Sequence, residues 1–119
     1  MKLINMTPHD INLMRDGMLL AIFPKSGVSL RCAEVETPRE GITVVAFEDS
    51  LVDVPFVNLA YGEVSGLPAF ETGVYYIASG LACQAAWSTG RRDVVCPAKM
   101  VRNDAGQIIG CEAFGVSPE

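Results

Sequence analysis

Short apolar runs separated by turn residues recur along almost the whole chain, and this pattern constrains the fold more than any other feature. Ile11–Met14, Met18–Phe23 and Val74–Ala78 are examples, rich in aliphatic, β-branched or aromatic side chains. Runs of this kind, bounded by Gly, Pro, Asn or Asp, are typical of strands. Asp16-Gly17 between the first two tolerates the positive φ of a tight hairpin turn. The pattern therefore predicts a chain made mostly of strands.

One segment departs from the strand pattern. Leu81–Trp87 is rich in alanine, a strong helix former, and it lies between a capping serine, Ser79, and the terminator Thr89-Gly90. We therefore expect a mostly-β (α+β) fold, either a compact barrel or a strongly curved antiparallel sheet with one short helix. A chain of 119 residues fits a single domain, residues 1–119.

Two strand assignments concern the middle and the end of the chain. Ile42–Phe47 is a continuous β-branched run, which predicts a central strand. Pro97 lies between Val94–Cys96 and Lys99–Arg102, and since proline cannot donate to a ladder we expect two strands broken at this point.

The net charge of −5 disfavours nucleic acid as a partner, because phosphate binding needs a basic surface. Between Glu34 and Glu71 the only basic residue is Arg39, so this stretch is strongly acidic. Two interpretations stay open: solvated loops that keep the protein in solution, or a surface for a basic partner. The acids are Glu34, Glu36, Glu40, Glu48, Asp49, Asp53, Glu63 and Glu71.

The four cysteines are not spaced as metal ligands, and the chain has one histidine. We therefore expect no metal and no cofactor, with the cysteines as small buried hydrophobes in a reducing compartment. The chain has no apolar run long enough to span a bilayer and no signal-peptide pattern, so we expect no membrane partner and a location in the cytoplasm.

A candidate ligand site can be assembled from polar residues far apart in the chain. Thr7 and His9 flank Pro8 at a rigid turn, Ser79 begins the helix, and late in the chain come three charged residues, Arg91, Asp93 and Arg102. A helix N-terminus and guanidinium groups both bind phosphate. Each residue also has an ordinary role open to it: turn, helix cap, solvated arginine, or an arginine–Asp93 ion pair.

Hydrolysis through Ser79 is disfavoured because Ile77-Ala78-Ser79-Gly80-Leu81 lacks the first glycine of a nucleophile elbow. We assign no catalytic residue, and we expect a binding protein more than an enzyme.

Several short segments, taken together and in order, resemble small uncharacterised proteins of phages and prophages. The opening Asn5-Met6-Thr7-Pro8-His9 resembles their Asn-Leu-Thr-Pro-His start. The further matching segments are Ser26-Gly27-Val28, Tyr61–Pro68, Tyr76–Ser79, Arg91-Arg92-Asp93, Pro97, Val101-Arg102, Gly106 and Gly110-Cys111. The resemblance implies a phage accessory protein, of a kind that often counters host defence, with His9, Arg91, Asp93 and Arg102 at matching polar positions.

Three functional hypotheses follow. The first is a binding protein, homo-oligomeric, that sequesters a small phosphate-bearing, nucleotide-derived immune signal in a pocket built by Thr7, His9, Ser79 and the late-chain charged residues. The second is an anti-defence protein that inhibits a host protein complex through its acidic segment. The third is a small nucleotide hydrolase that uses His9 as acid–base. The first requires His9 and Arg102 to meet in one cavity.

Overall fold

The computed structural model describes residues 1–118, in which strands predominate and one α-helix is present. The strands are β1 (Lys2–Asn5), β2 (Ile11–Arg15), β3 (Met18–Phe23), β4 (Arg31–Val45), β5 (Leu51–Ser65), β6 (Val74–Ile77), β7 (Val94–Arg102) and β8 (Ile108–Gly115), and the helix is α1 (Gly80–Ser88). The predicted mostly-β fold with one short helix is confirmed.

The chain divides into two units. The sheet unit contains Met1–Cys32 and the chain from Glu63 onward, and the hairpin unit contains Ala33–Gly62.

The sheet unit is built on six strands in the order β1-β6-β7-β8-β2-β3. The sheet is mixed: β1 and β6, β6 and β7, and β2 and β8 run parallel, whereas β2 and β3, and β7 and β8, run antiparallel. Helix α1 explains one parallel pair, because it connects β6 to β7 and parallel neighbours need such a crossover.

The sheet is strongly curled, as a half-barrel. Its two outer strands approach each other, since Asn5 at the end of β1 forms a parallel bridge with Lys25, just after β3. The backbone N–H of Ser26 also donates to the carbonyl of Asn5 at 3.0 Å. The curl therefore places the ends of β1 and β3 side by side.

The core lies between α1 and the central strands. The helix buries small side chains, Ala82, Cys83 and Ala86, which allow it to pack closely on Tyr76 and Val94. Trp87 extends this contact, because its indole N–H donates to the carbonyl of Val94 at 2.7 Å.

Strand β7 is continuous, so the predicted break at Pro97 was wrong. Its first residues, Val94 and Val95, pair with β6, whereas from Cys96 onward its partner is β8. Pro97 thus lies where β7 changes neighbours and has a ladder partner on one side, a position that tolerates a residue without an N–H.

The hairpin unit consists of most of β4 and β5, two strands that form a separate two-stranded sheet. A short turn at Phe47–Asp49, in which Glu48 and Asp49 have positive φ, joins them. The predicted central strand at Ile42–Phe47 was therefore wrong, because its strand residues belong to this two-stranded sheet. A β-branched run predicts a strand, but it does not say how many neighbours the strand has.

Candidate functional site

The turn after β1 is organised by the side chain of Asn5, which is 2% exposed. Its Nδ2 donates to the carbonyls of His9 at 2.7 Å and of Phe23 at 2.8 Å. Its Oδ1 accepts from the backbone N–H of Thr7 at 3.0 Å and lies 2.7 Å from the Thr7 hydroxyl. A side-chain amide has two donor hydrogens and one oxygen acceptor, so Asn5 uses its full capacity. It joins the turn to the end of β3.

Thr7 is a structural member of this turn. Its side chain is buried, and its hydroxyl lies within hydrogen-bond distance of Asn5 Oδ1 and, at 2.9 Å, of the His9 carbonyl. Because a hydroxyl has a single proton, the two acceptors share it. The predicted rigid turn is present, and the Thr7 hydroxyl is engaged inside it.

His9 follows Pro8 at the exposed end of the turn, and its hydrogen bonds in the described chain use its backbone carbonyl and N–H. It lines a cavity of about 550 Å³ in the sheet unit, which we call the His9 groove. The groove is lined by His9, Asp10, Ile11, Asn12, Pro97, Met100, Ile108, Ile109, Gly110 and Cys111.

Ser79 caps α1, as the sequence predicts. Its hydroxyl accepts a hydrogen bond from the backbone N–H of Ala82 at 3.3 Å, which satisfies one of the free donors of the first helical turn. The Ser79 hydroxyl is therefore occupied by the helix itself.

Arg91 and Asp93 form a bidentate ion pair just before β7. Arg91 Nε donates to Asp93 Oδ1 at 2.9 Å, and Nη2 donates to Oδ2 at 2.7 Å and to the carbonyl of Pro68 at 2.9 Å. Asp93 is 2% exposed, and its hydrogen bonds from Arg91 hold the pKa of its carboxyl below the usual value. The pair neutralises itself and ties β7 to the loop at Pro68.

Arg102 lies at the end of β7 and is exposed. Its Nη1 donates to the carbonyl of Gly106 at 2.8 Å, across the turn that leads into β8. This contact closes the turn through a backbone carbonyl.

The six predicted residues fall into separate places. Thr7 and His9 share one turn, and Arg91 and Asp93 share one ion pair. Among the cavities lined by residues 1–118, the His9 groove includes neither Arg91 nor Arg102. Ser79 follows the carboxyl end of β6, whereas Asp93 precedes the amino end of β7, and these strands run parallel. The phosphate-binding set therefore stays a prediction.

The cysteines are thiols; Cys83 and Cys111 are buried, as predicted, whereas Cys32 and Cys96 are only partly buried. Burial, followed by the neighbouring Cys96, raises the pKa of Cys83 to about 12. Burial also raises the pKa of Cys111. Within residues 1–118 no group of three or more Cys, His, Asp or Glu side chains is placed to hold a metal ion.

The features that sequence reasoning missed are apolar. Met100, Ile108 and Ile109 line the His9 groove although they are 46%, 51% and 39% exposed. In the hairpin unit many large apolar side chains are also exposed: Val35, Ile42, Val45, Phe47, Leu51, Val52, Phe56, Val57, Leu59 and Tyr61. The strand pattern predicts an apolar face, but it does not predict whether that face is buried or exposed.

Comparison with family models, with curated proteins and with solved structures finds no match to this chain. Over the residues that the structure describes, no helix combines the length and the hydropathy needed to cross a bilayer.

Proposed function

We propose that the protein is a binding protein that engages a basic protein partner through its hairpin unit, which we call the acidic hairpin (Ala33–Gly62). In the phage setting implied by the resemblance, the partner is a protein of a host defence complex, which the hairpin inhibits by occupying its surface.

The distribution of charge carries this proposal. The acidic hairpin has a single basic residue, Arg39, and six acids: Glu34, Glu36, Glu40, Glu48, Asp49 and Asp53. Its net charge is therefore −5, which equals that of the whole chain, while the sheet unit has as many bases as acids. Negative charge concentrated on one element creates an electrostatic field that accelerates association with a positively charged surface.

Exposed apolar side chains supply the second part of the argument. Leu59 and Tyr61 are 47% and 48% exposed. Interfaces commonly place aromatic and aliphatic anchors at the centre and charged groups around them, because anchors give affinity and the charged rim gives specificity. A partner surface that is basic at its margin and apolar at its centre would fit.

Strand geometry places acids and apolar anchors on one face near the base of the hairpin. A Cβ added at Gly62 would lie 3.5 Å from the Cβ of Ala33, so these two positions share a face. Because side chains alternate along a strand, Glu34 and Glu36 then share the other face with Tyr61.

A second copy of the chain would bind the acidic hairpin less well than a basic partner would. Two hairpins of charge −5 repel each other, and Pro38 in β4 and Pro55 in β5 remove N–H donors that edge-to-edge pairing needs. Both features are typical of strands protected against self-association.

The test compares two variants that change the net charge equally. The first carries Glu34→Lys, Glu36→Lys and Glu40→Lys in the acidic hairpin; the second carries Glu63→Lys, Glu71→Lys and Glu112→Lys in the sheet unit. A photo-crosslinking residue at Thr37 captures the partner in host lysate, and binding of the purified partner is then measured by calorimetry at rising salt.

We expect the wild type and the sheet-unit variant to capture the same basic protein with an affinity that falls with salt, and the hairpin variant to lose it. Equal capture by both variants, or an affinity insensitive to salt, would contradict the proposal.

A further inference from the structure

The His9 groove is built by strands of the sheet unit and is independent of the acidic hairpin. Its volume of about 550 Å³ is that of a small-molecule site, since such sites commonly measure about 300–1,000 Å³. His9, Asp10 and Asn12 are its polar lining residues, and the remainder is mainly aliphatic.

Two of the polar lining residues, His9 and Asp10, have hydrogen-bonding capacity left over. Asp10 Oδ1 accepts from the backbone N–H of Lys25 at 2.9 Å, which fixes the carboxylate, while Oδ2 accepts no hydrogen bond within residues 1–118. The hydrogen bonds of His9 in that part of the chain use its backbone, which leaves the imidazole available. Both are acceptors when the imidazole is neutral.

The groove lining has no lysine and no arginine to balance the Asp10 carboxylate. An anionic ligand would therefore meet a like charge without compensation, whereas an ammonium group would meet a carboxylate oxygen and an imidazole nitrogen. The negative charge of the lining residues therefore favours a cationic ligand over an anionic one.

The apolar part of the groove offers aliphatic surface to the body of a ligand. Met100, Ile108 and Ile109 are between 39% and 51% exposed there. Strand β8 approaches β2 closely at Gly110, because a Cβ there would lie 2.9 Å from the Asn12 carbonyl oxygen.

We propose that the His9 groove binds a small organic amine, with the ammonium group at Asp10 and His9 and an apolar body, aromatic or aliphatic, over Met100, Ile108 and Ile109.

The test is an NMR titration of the full chain at pH 7.5 with three probes that share an indole body: tryptamine, 3-ethylindole and indole-3-propionate. The signals followed are the methyl groups of Met100, Ile108 and Ile109. We expect tryptamine to shift them saturably, and the carboxylate probe to bind about tenfold more weakly, a ratio that corresponds to about 1.4 kcal/mol.

The variant Asp10→Asn removes the charge but keeps an oxygen to accept from Lys25. Because an exposed ammonium–carboxylate pair contributes modestly to affinity, tryptamine should bind about threefold to fivefold more weakly, and 3-ethylindole should be unaffected. Asp16→Asn, in the turn between β2 and β3, makes the same charge change outside the groove and should alter neither.

Several outcomes would overturn the proposal. Equal binding of the amine and the carboxylate would remove the charge selection, and equal weakening by Asp16→Asn would show a general charge effect. Failure of tryptamine to shift the three methyl groups, or saturable shifts on adding adenosine monophosphate in its place, would rule out the amine site.

Discussion

At the scale of single residues, the polar groups that suggest a ligand site in the sequence are mostly committed to the fold. Thr7 and Asn5 complete each other's hydrogen bonds, and Asp93 binds Arg91 through both oxygens. Buried polar groups need such partners, because an unpaired one costs about 1–3 kcal/mol. A polar side chain flanked by strand residues is therefore as good a sign of a structural tie as of a binding site.

Asn5→Ala should lower the free energy of unfolding by about 3 kcal/mol, because it leaves the carbonyl of Phe23 and the N–H of Thr7 without their partners. The measurement is urea denaturation followed by circular dichroism. Asn58→Ala, an exposed asparagine of β5, is the control and should change stability by less than about 0.5 kcal/mol. Similar losses in both variants would show that Asn5 does not hold the turn.

Asp93→Asn should lower the free energy of unfolding at pH 7 by about 2 kcal/mol, because it weakens a buried ion pair. The folded-state pKa of Asp93 lies below its unfolded value of about 3.9, chiefly through hydrogen bonds from Arg91. The contribution is therefore present above pH about 4 and is lost as the pH falls through the lower, folded pKa.

Denaturant titrations of wild type and Asp93→Asn at a series of pH values from 7 down to about 2 measure this dependence. The stability difference between them should shrink with acidification. A difference that stays constant over this range would mean that the charge of Asp93 does not contribute.

At the scale of elements, α1 was predicted correctly because its signals are local. The cap, the alanine-rich turns and the terminating glycine all lie within a dozen residues of one another. The Asp16-Gly17 turn was predictable for the same reason, and both residues have positive φ, 50° and 77°. The neighbours of a strand are not encoded locally, so the placement of Ile42–Phe47 and the continuity of β7 through Pro97 were not predictable.

Ser79→Ala should destabilise the protein by about 1 kcal/mol, the usual value of a lost N-terminal cap. Ser88→Ala, near the other end of α1, removes a hydroxyl that donates to the Ala85 carbonyl and is exposed; it should have little effect. Thermal unfolding of both variants checks this. If Ser79→Ala leaves thermal stability unchanged, the Ser79 hydroxyl does not stabilise the helix.

At the scale of the whole molecule, the sequence located the acidic stretch but not its form. The notable property is its confinement to one two-stranded element, with acids and large apolar side chains exposed together. In the sequence the acidic stretch continues to Glu71, whereas in the structure the hairpin unit ends at Gly62. Which acids belong to one unit is a property of strand pairing, and strand pairing joins residues that are distant in sequence.

Likewise, the candidate ligand residues could be proposed from sequence, but their convergence could not be judged. His9, Met100 and Ile108 share a groove because β2, β7 and β8 are neighbours in the sheet. No spacing rule joins residue 9 to residue 100.

The even balance of acids and bases in the sheet unit has a consequence for colloidal behaviour. Shortening the hairpin by engineering would leave a molecule near its isoelectric point at neutral pH, where mutual repulsion is weakest and precipitation is easiest. The acidic hairpin, which we propose binds a partner, would then also be the element that prevents precipitation at high protein concentration.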